Sequence, residues 1–226
     1  MKHVLSIQDL SCVGRCSLTV TLPVLSAMGC RCSVLPTAVL STHTGFPGPE
    51  VISLTDRIAA LDAHWQSQSI RFDAVLTGYL ADPQQAEAVL SLILRYKAQG
   101  SKIIVDPAMG DHGKLYNRLD DDHVFAMSEI CKEADILLPN LTEAAFLTEI
   151  PYREETDGAY LRALTGGLFR FYDMKSTIIT GIFGKEGTVG ICGADREEGL
   201  FVHQGPMVPR KCHGTGDILK ISTING

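Results

Sequence analysis

A glycine-rich segment near the end of the chain contains residue types that suit phosphoryl transfer. In His213-Gly214-Thr215-Gly216-Asp217, two glycines flank a threonine, so consecutive backbone N–H groups can turn toward one point. If a helix begins there, its free N–H groups and its dipole add to the attraction for an anion. Asp217 can accept the proton of an attacking hydroxyl group as a general base. The alternative is a glycine-rich turn with no role in catalysis, because such turns are common.

Other polar residues follow the apolar runs of the chain, where the strands of a sheet are predicted to end. Ligands of open parallel sheets bind beyond the carboxyl ends of the strands, so these residues are the candidates for an active site. The candidates in chain order are Asp9, His43, Thr44, Tyr79, Asp106, Asn140, Glu143, Thr180 and Gly181. A structural reading stays open for five of them. Asp106 precedes a proline and Asn140 follows one, so either side chain can cap a turn. Tyr79 can be a core residue, His43 a surface or packing residue, and Glu143 can face solvent on its helix.

Short apolar runs alternate with amphipathic segments from the start of the chain to its end. The predicted strands are His3–Ile7, Cys32–Val39, Ala74–Thr77, Lys102–Val105, Ile136–Leu138 and Thr177–Thr180. The predicted helices are Ser17–Met28, Leu54–Trp65, Gln84–Ala98, Thr142–Glu149 and Tyr160–Tyr172. Thr188–Cys192 and Leu200–His203 are predicted to form an antiparallel pair. This alternation indicates an α/β fold, a mostly parallel sheet with helices on both faces.

The composition excludes several classes of protein. The chain has 226 residues with a net charge of −6, which gives no electrostatic footprint for nucleic acid or for an anionic membrane. No apolar run is long enough for a transmembrane helix, and the N-terminus lacks the features of a signal peptide, so we expect a cytoplasmic protein. The seven cysteines are odd in number and lack zinc-site spacing, which favours reduced thiols over disulfides or a metal site.

Six motifs together carry a resemblance to a known family. In chain order they are LSIQD (Leu5–Asp9), STHTGF (Ser41–Phe46), LTGYL (Leu76–Leu80), DPAMGD (Asp106–Asp111), LPNLTEA (Leu138–Ala144) and HGTGD (His213–Asp217). On these motifs the chain resembles the pyridoxal kinases of the ribokinase-like superfamily, from Val4 to about Asp217. Each motif is short, but the six in family order are specific. The resemblance implies a three-layer α/β/α sandwich and an ATP-dependent kinase that phosphorylates the 5′-hydroxyl of pyridoxal, pyridoxine or pyridoxamine.

The resemblance also implies roles for individual residues. Asp217 corresponds to the catalytic base, and Gly214, Thr215 and Gly216 correspond to the anion hole. Asp106 and Glu143 resemble the carboxylates that organise Mg²⁺, and a monovalent cation is a further candidate ligand of the protein. Asn140, Thr180 and Gly181 match nucleotide contacts. On the substrate side, the matching positions are Asp9, His43, Thr44 and Tyr79.

The substrate is left open by the residue at position 9 and by the similarity to a related kinase. Asp9 occupies a place where many relatives carry a serine, and a carboxylate there can bond the ring nitrogen or the phenol, so the substrate preference can differ. Hydroxymethylpyrimidine kinase is a close alternative with a similar fold and similar loops.

Cys212 precedes the glycine-rich segment, and a thiolate at a helix N-terminus can add reversibly to an aldehyde. The alternative interpretation is that Cys212 is an unreactive thiol in a loop.

The segment after Asp217 departs from the family pattern. Only nine residues follow, they are rich in β-branched types, and Asn225-Gly226 is a turn signal. The family continues with a full helix and further elements, so we expect a single ribokinase-like domain, residues 1–226, that lacks the usual C-terminal helices and has one helical turn after the anion hole. A catalytically crippled B6-binding remnant is therefore an alternative function. Relatives are commonly dimers, which makes a homodimer an expectation.

Overall fold

The computed structural model describes residues 1–117, 119–184, 187–207 and 214–222. The strands are β1 (His3–Ser11), β2 (Arg31–Leu40), β3 (Val51–Ser53), β4 (Ala74–Thr77), β5 (Lys102–Val105), β6 (Gly110–Asp111), β7 (Lys114–Leu115), β8 (Ile136–Leu137), β9 (Ser176–Phe183), β10 (Thr188–Asp195) and β11 (Gly199–Pro206). The helices are α1 (Leu18–Ala27), α2 (Thr55–Ser67), α3 (Pro83–Ala98), α4 (Asp121–Cys131), α5 (Leu141–Thr148), α6 (Gly158–Phe171) and α7 (Thr215–Ser222).

The chain divides into two compact units. The first comprises residues 1–104 together with the described residues 214–222, and the second comprises the described part of 105–207. The prediction of a single domain over residues 1–226 stays a prediction.

The first unit is built on parallel strands. Its strands lie in the order β5, β4, β1, β2 and β3, and β1 pairs in parallel with both β2 and β4. The register places Ile7 opposite Leu35 and Thr77, and all three are fully buried. Near-continuous apolar runs of this kind are typical of strands covered on both faces.

The helices of the first unit begin in different ways. The side chain of Asp82 caps α3 by accepting a hydrogen bond from the Gln85 N–H at 2.7 Å, and Pro83 occupies the first helical position. α1 tolerates Pro23 in its interior and begins after Ser17 without a side-chain cap. α1 packs on β1, β2 and α7. The C-terminal helix is therefore supported by the same helix that follows the first strand.

The second unit combines a short parallel pair with an antiparallel ribbon. β8 pairs in parallel with β9, and β9, β10 and β11 pair antiparallel in that order. β6 and β7 form a separate two-stranded hairpin whose turn residues, His112 and Gly113, both have positive φ (49° and 74°). Two consecutive positive φ values are typical of a type I′ turn.

The prediction of the fold class is confirmed, and its details are partly wrong. Ala74–Thr77 and Lys102–Val105 have the predicted bounds, and the antiparallel pair near residues 190 and 202 is present. β3, the β6–β7 hairpin and α4 were not predicted, because their sequences are short or weakly periodic. α7 continues to Ser222, about one and a half turns past Asp217 and close to the predicted single turn, and its contact with α1 supplies support that the local sequence does not show. None of the described helices combines the length and hydrophobicity needed to cross a membrane.

Candidate active site

Asp217 lies in the first turn of α7, three residues after a glycine that no other residue can replace without strain. Gly214 has φ +78°, and a Cβ there would lie 2.4 Å from the backbone oxygen of Arg15. Gly216 differs, because a Cβ there would meet nothing within 4 Å. The backbone of Thr215 begins α7, whereas Cys212 and His213 lie outside the described residues. The proposed reaction of Cys212 with an aldehyde therefore stays a prediction.

The carboxylate of Asp217 is held by a residue from the other end of the chain. The backbone N–H of Ser17 donates a hydrogen bond to Asp217 Oδ2 at 2.9 Å across a sequence separation of 200 residues. Ser17 immediately precedes α1 and has φ 49° and ψ −129°. This contact brings the start of α1 and the start of α7 to one place.

A second carboxylate lies in the same region. Asp9 is 4% exposed and lies inside β1, not beyond its end as the sequence predicted, at a register irregularity between Gln8 and Leu10. Such irregularities re-aim side chains near active sites. The Ser11 hydroxyl donates to Asp9 Oδ2 at 3.3 Å.

Burial and charge both act on the protonation of Asp9. Burial raises the pKa of Asp9, and the nearby negative charge of Asp217 raises it further, while hydrogen bonds from the Ser17 and Ser11 side chains lower it. Burial also raises the pKa of the neighbouring Cys16 thiol, with further contributions from both carboxylates. The negative charge of Asp217 thus raises the pKa of both Asp9 and Cys16, so these groups lie in the same part of the first unit.

The remaining predicted substrate contacts lie after β2 and β4. His43 is half-buried: its Nδ1 accepts a hydrogen bond from the Gly45 N–H at 3.0 Å, and its ring packs edge-on against Phe46 at 4.9 Å. Thr44 is exposed and Tyr79 is half-buried. Because β1, β2 and β4 are parallel neighbours, the residues that follow them lie at the same edge of the sheet.

In the second unit, the predicted nucleotide and metal residues meet at the start of α5. The Asn140 side chain accepts from the Glu143 N–H at 2.9 Å, and Glu143 Oε2 accepts from the Asn140 N–H at 2.7 Å. This reciprocal pair is a capping box. Asn140 Nδ2 also donates to the Gly110 carbonyl at 2.7 Å, and Glu143 Oε1 accepts from the Met109 N–H at 3.2 Å. The capping role that the sequence left open for Asn140 is therefore present in the structure.

Asp106 and Glu143 are both buried carboxylates, 5% and 1% exposed. After burial itself, the charges of Glu143 and Asp106 raise the pKa of the fully buried Cys131 thiol, so both carboxylates lie near the same interior atom. The described residues contain no group of three or more His, Cys, Asp or Glu side chains that could hold a metal ion by themselves. Two carboxylates fit Mg²⁺, which keeps several waters and takes its other ligands from phosphates.

Thr180 and Gly181 lie beside Asn140. The Thr180 N–H donates to the Pro139 carbonyl at 2.9 Å, and Thr180 forms an isolated parallel bridge with Asn140. Gly181 has φ +73°, which turns the chain within β9. The second unit therefore brings together the three predicted nucleotide contacts, Asn140, Thr180 and Gly181.

Sequence reasoning missed Ser17, Ser11 and Cys16. Each is a small residue in a loop or at the end of a strand, and none belongs to the six motifs. A serine before an apolar helix normally indicates a helix cap. No feature of the sequence indicates the positive φ of Ser17 or its distant partner.

Comparisons with known proteins show the family and the fold of the chain. Residues 21–223 match the family model described as phosphomethylpyrimidine kinase. A protein from Bacteroides thetaiotaomicron assigned as a phosphomethylpyrimidine kinase, solved in a form with pyridoxal, superposes with a TM-score of 0.92 at 34% identity, covering 100% of this chain and 81% of that one. The pyridoxal kinase from Lactobacillus plantarum superposes with a TM-score of 0.86 at 33% identity, covering 98% of this chain and 78% of that one.

A curated relative gives a similar result over a smaller share of its length. The pyridoxal kinase of Dictyostelium discoideum is 31% identical over 80% of this chain and 60% of its own length. A relative from Schizosaccharomyces pombe, assigned as a pyridoxal kinase, is 29% identical over 82% of this chain and 56% of its own length. The chain thus spans less than two thirds of the length of these two relatives.

Proposed function

Because the chain belongs to the family of phosphomethylpyrimidine and pyridoxal kinases, we propose that it transfers the γ-phosphoryl group of ATP to the 5′-hydroxyl of a B6 vitamer. The acceptors are pyridoxal, pyridoxine and pyridoxamine. The similarity to a structure solved with pyridoxal supports this choice. The predicted resemblance to pyridoxal kinases is confirmed at the level of the family.

One observation carries the proposal: Asp217 follows the conformationally restricted Gly214 and is held by the Ser17 N–H. A carboxylate fixed at the start of a helix can accept the proton of the vitamer hydroxyl as its oxygen attacks phosphorus. Holding this base and the alcohol together accounts for part of the rate enhancement, because a bound pair loses no further translational freedom when it reacts.

The first backbone N–H groups of α7 serve as the anion hole. The N–H groups of a helix's first turn lack intrahelical partners and carry the positive end of its dipole. Of the predicted anion-hole residues, Thr215 and Gly216 open α7 and Gly214 directly precedes it, and the eight-residue helix provides the dipole. They are suited to the negative charge on the transferring phosphoryl group.

The second unit supplies the nucleotide and metal contacts in this proposal. Asn140, Thr180 and Gly181 would contact the phosphates, and Asp106 and Glu143 would hold Mg²⁺ through water. Both Glu143 oxygens already accept backbone N–H groups, which orients the carboxylate and favours indirect coordination. When bound, Mg²⁺ would neutralise charge on the phosphate oxygens.

A coupled assay of ADP release with each vitamer tests the proposal. We expect steady turnover that depends on vitamer and Mg²⁺, phosphorylated vitamer as the product, and loss of turnover in Asp217→Ala. Asp173→Ala is the matched control, because the side chain of Asp173 is 99% exposed. Binding of pyridoxal without turnover would instead support the non-catalytic remnant.

Hydroxymethylpyrimidine kinase is the second candidate, because the matching family and the Bacteroides thetaiotaomicron relative are both named for a related pyrimidine, as phosphomethylpyrimidine kinases. Both substrates present a hydroxymethyl group on an aromatic ring, so the same base and anion hole would serve either. The ratio of kcat/KM values for hydroxymethylpyrimidine and pyridoxal decides between them. The monovalent cation, the homodimer and the cytoplasmic location stay predictions.

A further inference from the structure

The β6–β7 hairpin lies against the residues that are predicted to contact the nucleotide. At its base, Asn140 Nδ2 donates to the Gly110 carbonyl at 2.7 Å, and the backbone of Asn140 forms a bridge with Thr180. At its turn, the ring of His112 stacks on the ring of Phe183 in β9, with centroids 6.4 Å apart and an interplanar angle of 17°. The hairpin therefore touches both the start of α5 and the strand that carries Thr180.

The turn of this hairpin is fixed from outside. The hairpin ladder pairs Asp111 with Lys114, which leaves the N–H of Gly113, within the turn, for a partner elsewhere. That N–H donates to Thr142 Oγ1 of α5 at 2.9 Å, across 29 positions of the sequence. The ring of Tyr152 packs on the same glycine, since a Cβ there would lie 2.7 Å from Tyr152 Cδ1. One hydrogen bond and one close packing contact thus hold the turn.

The hydroxyl of Thr142 is not part of the cap of its own helix. Asn140 and Glu143 form the capping box at the start of α5. Thr142 is 2% exposed, and its hydroxyl oxygen accepts from the hairpin turn. Alanine or leucine would favour the helix more than threonine does. The local structure of α5 therefore does not explain a threonine at this position, whereas the contact with the hairpin does.

We propose that Thr142 is a positioning residue for nucleotide binding. Its hydroxyl fixes the turn of the hairpin, so that His112 stays packed on Phe183 beside the nucleotide contacts before ATP binds. A turn that is ordered in advance loses less conformational freedom on binding, which favours affinity. This inference rests on the proposed function for its effect on ATP. Its effect on the hairpin itself does not depend on turnover.

Thr142→Val tests the role of the hydroxyl, because valine keeps the shape of the side chain and removes the acceptor. The loss of one neutral hydrogen bond should raise the KM for ATP and the Kd for ADP about three- to tenfold. The KM for pyridoxal and kcat should stay unchanged, since only nucleotide binding is weakened. Thr142→Ser keeps the hydroxyl and should retain wild-type values. An unchanged KM for ATP in Thr142→Val, or an equal rise in Thr142→Ser, overturns the proposal.

Thr148→Val is the matched control in the same helix. Thr148 is 5% exposed, and its hydroxyl donates to the Ala144 carbonyl at 2.7 Å, within α5. Both variants remove a buried hydroxyl from α5, so a purely structural role of Thr142 predicts the same effect of both on ATP. We expect the KM for ATP to stay at the wild-type value in Thr148→Val. A rise equal to that in Thr142→Val overturns the proposal.

Hydrogen exchange of the Gly113 amide, measured by NMR, gives a readout that does not need activity. The bond to Thr142 protects this N–H, so Thr142→Val should raise its exchange rate at least about threefold and Thr142→Ser should not. The Leu138 amide, which donates to the Val105 carbonyl, is the internal reference and should not change. An unchanged Gly113 rate overturns the proposal even in an inactive protein. A wild type that binds no ADP by itself overturns only the proposed function.

Discussion

The helices α1 and α5 begin beside the two groups of candidate site residues, and they begin in opposite ways. α5 has a regular start: Asn140 has φ −80° and ψ 177°, and the capping box with Glu143 satisfies N–H groups within three residues of each other. α1 starts from Ser17 at φ 49°, with no side-chain cap. The N–H of Ser17 donates to the carboxylate of Asp217 instead.

This difference separates a site built by local contacts from one built by long-range contacts. The residues at the start of α5 satisfy one another, so their geometry costs little and adds to stability. At the start of α1, Ser17 has a strained backbone, and its N–H holds the carboxylate of Asp217 from the other end of the chain. Strained backbone of this kind persists where the surrounding structure determines it, commonly at functional sites.

The largest expected effect is on the α1 side. Asp217→Asn keeps the shape of the base but removes its ability to take a proton, so kcat should fall by about 10²- to 10⁴-fold. The coupled assay measures it, and the Tm should change little, because the Ser17 N–H can still donate to the amide oxygen. Activity close to that of the wild type would show that Asp217 is not the base.

The two glycines before Asp217 provide the next test. Gly214→Ala places a Cβ 2.4 Å from the Arg15 oxygen at positive φ, so both stability and kcat should fall, with an unfolding free energy lower by more than about 1 kcal/mol. Gly216→Ala meets no atom within 4 Å and is the matched control. Urea denaturation and the coupled assay measure both variants. Equal tolerance of the two substitutions would contradict the described conformation of Gly214.

A smaller effect is expected at the start of α5. Asn140→Ala removes the helix cap and the bond to the Gly110 carbonyl, so the free energy of unfolding should fall by about 1–2 kcal/mol. Asp82→Ala, which removes the single cap of α3, should cost about 1 kcal/mol and serves as the reference. Urea denaturation measures both. If Asn140→Ala were neutral, the contrast between the two helix starts would be lost.

The pH dependence of stability distinguishes the buried acid from an ordinary cap. Burial raises the pKa of Asp9 above its usual value of 3.8. The folded protein then holds that proton more tightly than the unfolded chain does. The contribution of Asp9 to the free energy of unfolding is therefore full below its usual pKa of 3.8 and is lost as the pH rises through the folded pKa. Asn cannot ionise, so Asp9→Asn should gain stability relative to the wild type across that window. Urea denaturation at several pH values measures the difference.

Asp157→Asn should show the opposite trend. The Tyr160 N–H lowers the pKa of this helix-capping residue below 3.8, so the carboxylate stabilises the fold at higher pH and loses that contribution as the pH falls through the folded pKa. The variant should therefore lose stability relative to the wild type as the pH rises. Parallel trends in the two variants would contradict the assignment of Asp9 as a buried acid.

The sequence predicted much of the fold. Ala74–Thr77 and Lys102–Val105 were found at their predicted bounds, because continuous apolar runs indicate buried parallel strands. The capping relation of Asn140 and Glu143 also follows from their spacing of three residues. The short strands β3, β6 and β7 escaped prediction, because two or three residues carry no periodic signal.

The amino-acid sequence by itself determined the alternation of strands and helices, the family, and the positions of the candidate base and carboxylates, because these depend on residue types and spacing along the chain. Only the tertiary structure decided that Asp9 lies inside a strand, that Ser17 has a positive φ, and that its N–H reaches Asp217. Those features depend on contacts between residues up to 200 positions apart, and hydrophobic periodicity and local propensity have no information at that range.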